Sequence, residues 1–136
     1  MGDAVNLGAR LEGLTKEYGV ALMISEYTRN QLPSDWAFRE LDLIRVKGKN
    51  EPVSIYEPMG PKDELDPALR NDLARHRGAM KLYRAQKWDE AEQEFFNLNS
   101  AERPHPVYDV MIQRIMQYRE EPPGANWDGA YNFTHK

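Results

Sequence analysis

The apolar periodicity of this chain changes kind once, at a segment rich in Gly, Pro and acidic residues, Met59-Gly60-Pro61-Lys62-Asp63-Glu64-Leu65-Asp66-Pro67. Before it, helix-like and strand-like patterns alternate; after it, every apolar stripe has helical spacing. A chain patterned in this way is expected to be α+β: an α-β-α-β-β part over residues 1–58, a linker over 59–67, and an all-α part over 68–136.

In the first part, Leu7, Leu11, Leu14 and Tyr18 recur on one helical face, and Gly19 stands where a helix commonly ends on a left-handed residue. Val20-Ala21-Leu22-Met23-Ile24 reads as a short buried strand. Ser25 is then a natural cap for a brief helix, Glu26 to Leu32, stopped by Pro33. Phe38 to Val46 and Pro52 to Tyr56 are expected to pair as an antiparallel hairpin.

In the second part, Leu69, Leu73, His76, Met80 and Tyr83 mark one helix, and Trp88, Ala91, Phe95 and Leu98 a second. Val107, Met111, Ile115 and Tyr118 mark a third, opened by Pro106, and the short connections make all three antiparallel neighbours. The cluster Trp88, Phe95 and Phe96 reads as core, His76 as a core histidine, and Trp127, Tyr131 and Phe133 as an aromatic tail that covers the helices.

Composition narrows the function classes. A formal net charge of −4 gives no bulk basic character for nucleic acid, and no apolar run approaches the ~20 residues that span a bilayer. There is no signal-peptide pattern and there are no cysteines, so disulfides and thiolate chemistry are excluded and a cytoplasmic setting is expected. His76, His105 and His135 are scattered without the close spacing of a metal site.

Two places hold candidate chemistry. Asn6 and Arg10 are four residues apart on a helical pattern, so both can reach one small anionic object such as a ribose and its phosphate. The alternative is a first-turn polar residue beside a solvated charge. Lys47, in Lys47-Gly48-Lys49-Asn50, lies between two strand-like runs. It is either a phosphate-binding point charge or part of a soluble hairpin turn, in which Gly and Asn tolerate positive φ.

The stretch Gly2-Asp3-Ala4-Val5-Asn6-Leu7-Gly8-Ala9-Arg10-Leu11-Glu12 resembles the signature of class III nucleotide cyclases. Phe38-Arg39-Glu40-Leu41 and Arg45-Val46-Lys47-Gly48-Lys49-Asn50-Glu51-Pro52-Val53-Ser54-Ile55-Tyr56-Glu57 resemble the last hairpin of the same catalytic domain, in the same order. The resemblance implies a partial ferredoxin-like cyclase domain, the last third of the whole. It implies that Asn6 orients the ribose, that Arg10 stabilises charge growing on the α-phosphate, and that Lys47 contacts the β- and γ-phosphates.

It also implies that the metal-binding aspartates and the base-selecting residues precede this segment, so the chain alone is expected to be inactive and to bind no metal. The parent enzyme would use Mg or Mn, take ATP or GTP, act as a homodimer, and be cytoplasmic or membrane-anchored upstream. Apolar surface around Val20 to Ile24 is expected to be left for another chain to cover.

The first two helices of the second part resemble a single tetratricopeptide-type repeat, with Gly78 and Ala79, Tyr83, Trp88, Ala91 and Phe95 in its small-aromatic order. One repeat cannot bury its own face, which makes the third helix its cover and a protein partner a second possible role.

Overall fold

A computed structural model of the chain describes residues 13–45 and 50–133. The chain is α+β, and it divides into a sheet unit, made of residues up to Leu65 together with those from Ala130 onward, and a helical unit, Asp66–Gly129.

The sheet unit begins, among the described residues, with a helix over 13–18 (α1). Gly19 ends it with φ +67°, and the Val20 amide reaches back to the Thr15 carbonyl at 3.1 Å, the bond of a Schellman cap. The expected strand over Val20 to Ile24 is much shorter: only Ile24–Ser25 (β1) pairs. Val20 and Met23 turn inward, while Leu22 is 57% exposed, because a chain leaving a cap without ladder partners has no reason to alternate faces regularly.

Ser25 caps α2, Glu26–Arg29, by accepting from the Thr28 amide. That helix also stops earlier than Leu32. Gln31 and Leu32 donate to carbonyls three residues back, Thr28 and Arg29, so the chain tightens out of α geometry before Pro33 is reached.

β2, Trp36–Arg45, and β3, Val53–Pro61, form the antiparallel hairpin, and the sheet order is β1-β3-β2-β4. β3 takes up Met59, Gly60 and Pro61, the start of the expected linker. Ala37 pairs with Gly60 but Phe38 with Pro58, which leaves Met59 as the extra residue of a bulge beside Gly60 at φ +94°. Gly and Pro here serve a bulge and a strand end, where the same composition also occurs.

A second irregularity matters more. Glu40 faces Tyr56 and Asp42 faces Ile55, so Leu41 is the extra residue. Burial alternates through Ala37, Arg39 and Leu41 and then steps, leaving Leu41 and Asp42 buried in succession and Ile44 after them.

A 3₁₀ turn, Lys62–Glu64, leads to the helical unit. α3, Pro67–Arg84, is capped by Asp66, whose side chain accepts from the Ala68 amide at 2.9 Å, with Pro67 in the first turn. α4, Trp88–Leu98, and α5, Pro106–Glu120, follow; His105 caps α5 through Nδ1, which accepts from the Val107 amide at 3.0 Å.

The core of this unit combines Leu73, His76, Met80 and Tyr83 with Ala91, Phe95 and Leu98, and with Val107, Tyr108, Met111 and Ile115. His76 is fully buried with its ring 5.8 Å from that of Phe95 and 5.6 Å from that of Tyr108. Trp88 is half-buried and stacks on Tyr118 at 5.5 Å. Phe96 does not join the core and is 68% exposed, because Ala91, Phe95 and Leu98 already occupy the inward face and the next residue is rotated about 100° from Phe95.

The acidic start of α4 is paired as well as placed at a helix N-terminus: Asp89 and Glu92 both meet Arg119 of α5, at 2.5 and 2.8 Å. Of the aromatic tail, only Trp127 stays here, 5.4 Å from the Tyr83 ring. The chain then returns to the sheet: Tyr131–Asn132 (β4) runs parallel to the end of β2, and Phe133 is buried in that unit. No described helix is long and apolar enough to cross a membrane.

Candidate functional site

Asn6, Arg10 and Lys47 all lie outside the described residues. What the structure describes is the framework on either side of them: the end of α1, which follows Arg10 in the chain, and the two strands that flank residues 46–49.

α1 and β2 are joined by a buried polar bond. The Tyr18 hydroxyl donates to Asp42 Oδ2 at 2.7 Å, and both residues have no exposed surface. The Leu43 amide donates to the other carboxyl oxygen at 2.8 Å. The bulge after Glu40 turns Asp42 inward, and the carboxyl is acceptable there because donors meet both of its oxygens. Tyr18→Phe is expected to cost about 1–2 kcal/mol in chemical denaturation, the effect of removing one donor to a buried carboxyl. A change below about 0.3 kcal/mol would mean that this bond does not hold α1 to the sheet.

Across the hairpin, Arg39 is paired in register with Glu57 and bonds it at 3.1 Å, with the guanidinium side chain only 7% exposed. Arg29 of α2 lies over two rings, 5.0 Å from the centre of Phe38 and 4.8 Å from that of Tyr56. Burial pushes the Tyr56 hydroxyl above its ordinary range; a hydrogen bond with the Ser54 side chain and the charge of Arg29 pull the other way. Tyr56 is thus a neutral structural phenol.

Next to residues 46–49, Arg45 reaches in two directions. Its Nε donates to the Asn50 carbonyl at 2.7 Å and its Nη1 to Asn132 Oδ1 at 2.6 Å. Among the described residues no group of three His, Asp or Glu side chains is placed to hold a metal ion.

Sequence reasoning missed Asp42, Arg45 and Asn132. A trace of Asp42 was present, as the one charge inside the run Leu41-Asp42-Leu43-Ile44. Nothing local joins Arg45 to a residue 87 positions away.

No protein-family model matches the chain, and no solved structure matches it. Three curated proteins do. An adenylate cyclase of Anabaena cylindrica is 47% identical over 60 residues, which is 42% of this chain and 12% of that protein. Adenylate cyclase 1 of Rhizobium meliloti (strain 1021) is 38% identical over 60 residues, 44% of this chain and 9% of that protein. The terminal-differentiation specific adenylate cyclase of Dictyostelium discoideum is 32% identical over 124 residues, 86% of this chain and 6% of that protein. A match over 86% of the chain extends into both units. The chain thus contains an adenylate cyclase-related segment, and it spans between 6% and 12% of the length of these relatives.

Proposed function

We propose that this chain is the C-terminal part of a class III adenylate cyclase catalytic domain followed by a tetratricopeptide-like helical unit, and that its parent converts ATP to cyclic AMP and pyrophosphate. The observation that carries this reading is the similarity of the chain, over part of its length, to proteins named adenylate cyclases, and two ordered motifs, around Asn6/Arg10 and around Lys47, support it.

In that reaction the ribose 3′-oxygen attacks the α-phosphorus, a new P–O bond forms, and the bond to the pyrophosphate oxygen breaks. Asn6 holds the ribose so that the 3′-oxygen is in line. Arg10 offers a fixed guanidinium to the charge developing on the α-phosphate, and Lys47 a point charge to the departing phosphates. Such chemistry depends on position and on fixed positive charge. Divalent Mg or Mn, when bound, activates the hydroxyl and neutralises the triphosphate. In this reading the ligands for these ions are aspartates elsewhere in the parent.

The same reading makes the parent a homodimer whose partner subunit completes the site, in the cytoplasm or with an anchor elsewhere in the parent. Tested alone, the 136-residue chain is expected to produce no cyclic AMP from ATP with Mg²⁺ or Mn²⁺. Extended by the rest of its catalytic domain, it is expected to turn over. Turnover by the chain alone would overturn the division of labour proposed here, and cyclic GMP from GTP in place of cyclic AMP would make the parent a guanylate cyclase.

A second reading is favoured by one observation: the helical unit has a core of its own, built from α3, α4 and α5. In that reading the unit docks a protein partner and the cyclase-related part serves as scaffold. Loss of regulation or dimerisation on removing the helical unit, with turnover intact, would support it.

A further inference from the structure

β4 is two residues long, far below the usual strand, and it pairs only with the last two residues of β2: Tyr131 with Ile44 and Asn132 with Arg45. Those are the last described residues of β2. Buried residues stand on both sides of the short strand, Ala130 at 1% exposure and Phe133 at 6%, and its partner Ile44 is fully buried.

The polar contacts converge on one residue. The Phe133 amide donates to the Arg45 carbonyl at 2.9 Å, while the Arg45 guanidinium donates to Asn132 Oδ1 on β4 and to the Asn50 carbonyl ahead of β3. One arginine therefore links the end of β2, Asn50 ahead of β3, and the returning strand β4. A guanidinium fork suits this, since its separate N–H groups point in fixed directions.

We propose that β4 is a latch: the returning strand, through Asn132 and the buried Phe133, fixes Arg45 at the end of β2 and, through Arg45, Asn50 ahead of β3, and Arg45 and Asn132 are positioning residues for this end of the hairpin. The consequence for nucleotide turnover rests on the phosphate-binding role proposed for Lys47; the latch itself does not.

Amide hydrogen exchange on the whole chain tests it, since local opening is read residue by residue. Asn132→Ala is expected to speed exchange at residues 50–54 by about three- to tenfold, the effect of losing one solvent-exposed hydrogen bond. Amides of Phe38 to Leu41 and of Leu73 to Tyr83 are expected to stay as they are. Asn132→Asp keeps the acceptor and is expected to restore or slow the exchange at residues 50–54.

Unchanged exchange at residues 50–54 in Asn132→Ala would overturn the latch, as would equal acceleration in Asn132→Asp. Lys47→Ala separates the two ideas. If exchange responds to Asn132→Ala while Lys47→Ala in an active parent leaves KM for ATP and kcat unchanged, the latch stands and the phosphate-binding role of Lys47 fails.

Discussion

Arg10→Ala in an active parent enzyme is expected to lower kcat by about two orders of magnitude or more, with a smaller effect on KM. A guanidinium held toward the α-phosphate meets little extra charge in the bound substrate and more in the transition state, so its loss falls on the chemical step. Asn6→Ala is expected to lower kcat as well, because a misplaced 3′-oxygen loses the in-line approach. Steady-state kinetics with ATP separate these roles. A rise in KM at constant kcat for Arg10→Ala would make that residue a ground-state binder and would remove the main support for the proposed mechanism.

Two adjacent phenylalanines are expected to give opposite results in the helical unit. Phe95 has no exposed surface and packs its ring against His76 and Tyr108, so Phe95→Ala is expected to cost about 3–5 kcal/mol. Phe96 is 68% exposed, and Phe96→Ala is expected to stay within about 0.5 kcal/mol. Denaturant titrations followed by helical circular dichroism give both numbers from one experiment. Comparable losses at the two positions would mean that Phe96 is covered in solution, with self-association the first thing to measure by sedimentation.

That pair also marks how far the sequence can be read. The stripe Ala91, Phe95 and Leu98 predicts which face of α4 is buried, yet the cluster of aromatics around it draws Phe96 into the expected core. Periodicity assigns a face only when each apolar residue is tested against the 100° step of the helix, and adjacency in sequence works against that test. The three helices and the start of α5 at Pro106 were legible because local chemistry defines them, whereas the Asp66 cap fell inside the expected linker.

The sheet was legible as a hairpin but not in its limits. Gly60 and Pro61 carry the composition of a linker, and only pairing with Ala37 and Trp36 reveals them as strand. The bulge at Leu41 has no comparable local mark, and it is what turns Asp42 toward Tyr18. Of the candidate site, the motif residues Asn6, Arg10 and Lys47 rest on resemblance alone and lie outside the described residues. The bonds Tyr18–Asp42 and Arg45–Asn132 were not legible, because each joins residues distant along the chain.

The return of the chain at Ala130 has a consequence for synthesis. A ribosome delivers residues in order, so β2 and β3 emerge and can pair long before Tyr131 exists to meet Ile44. The helical unit between them, Asp66–Gly129, has its own core and can form while the sheet still lacks its last strand. The sheet is thus finished only after the helical unit has been made, and a chain cut short between Asp66 and Tyr131 would carry the β2–β3 hairpin with an unfinished edge. Nascent chains of increasing length should show this as a late gain in protease resistance around Arg45, after the helices have already become resistant.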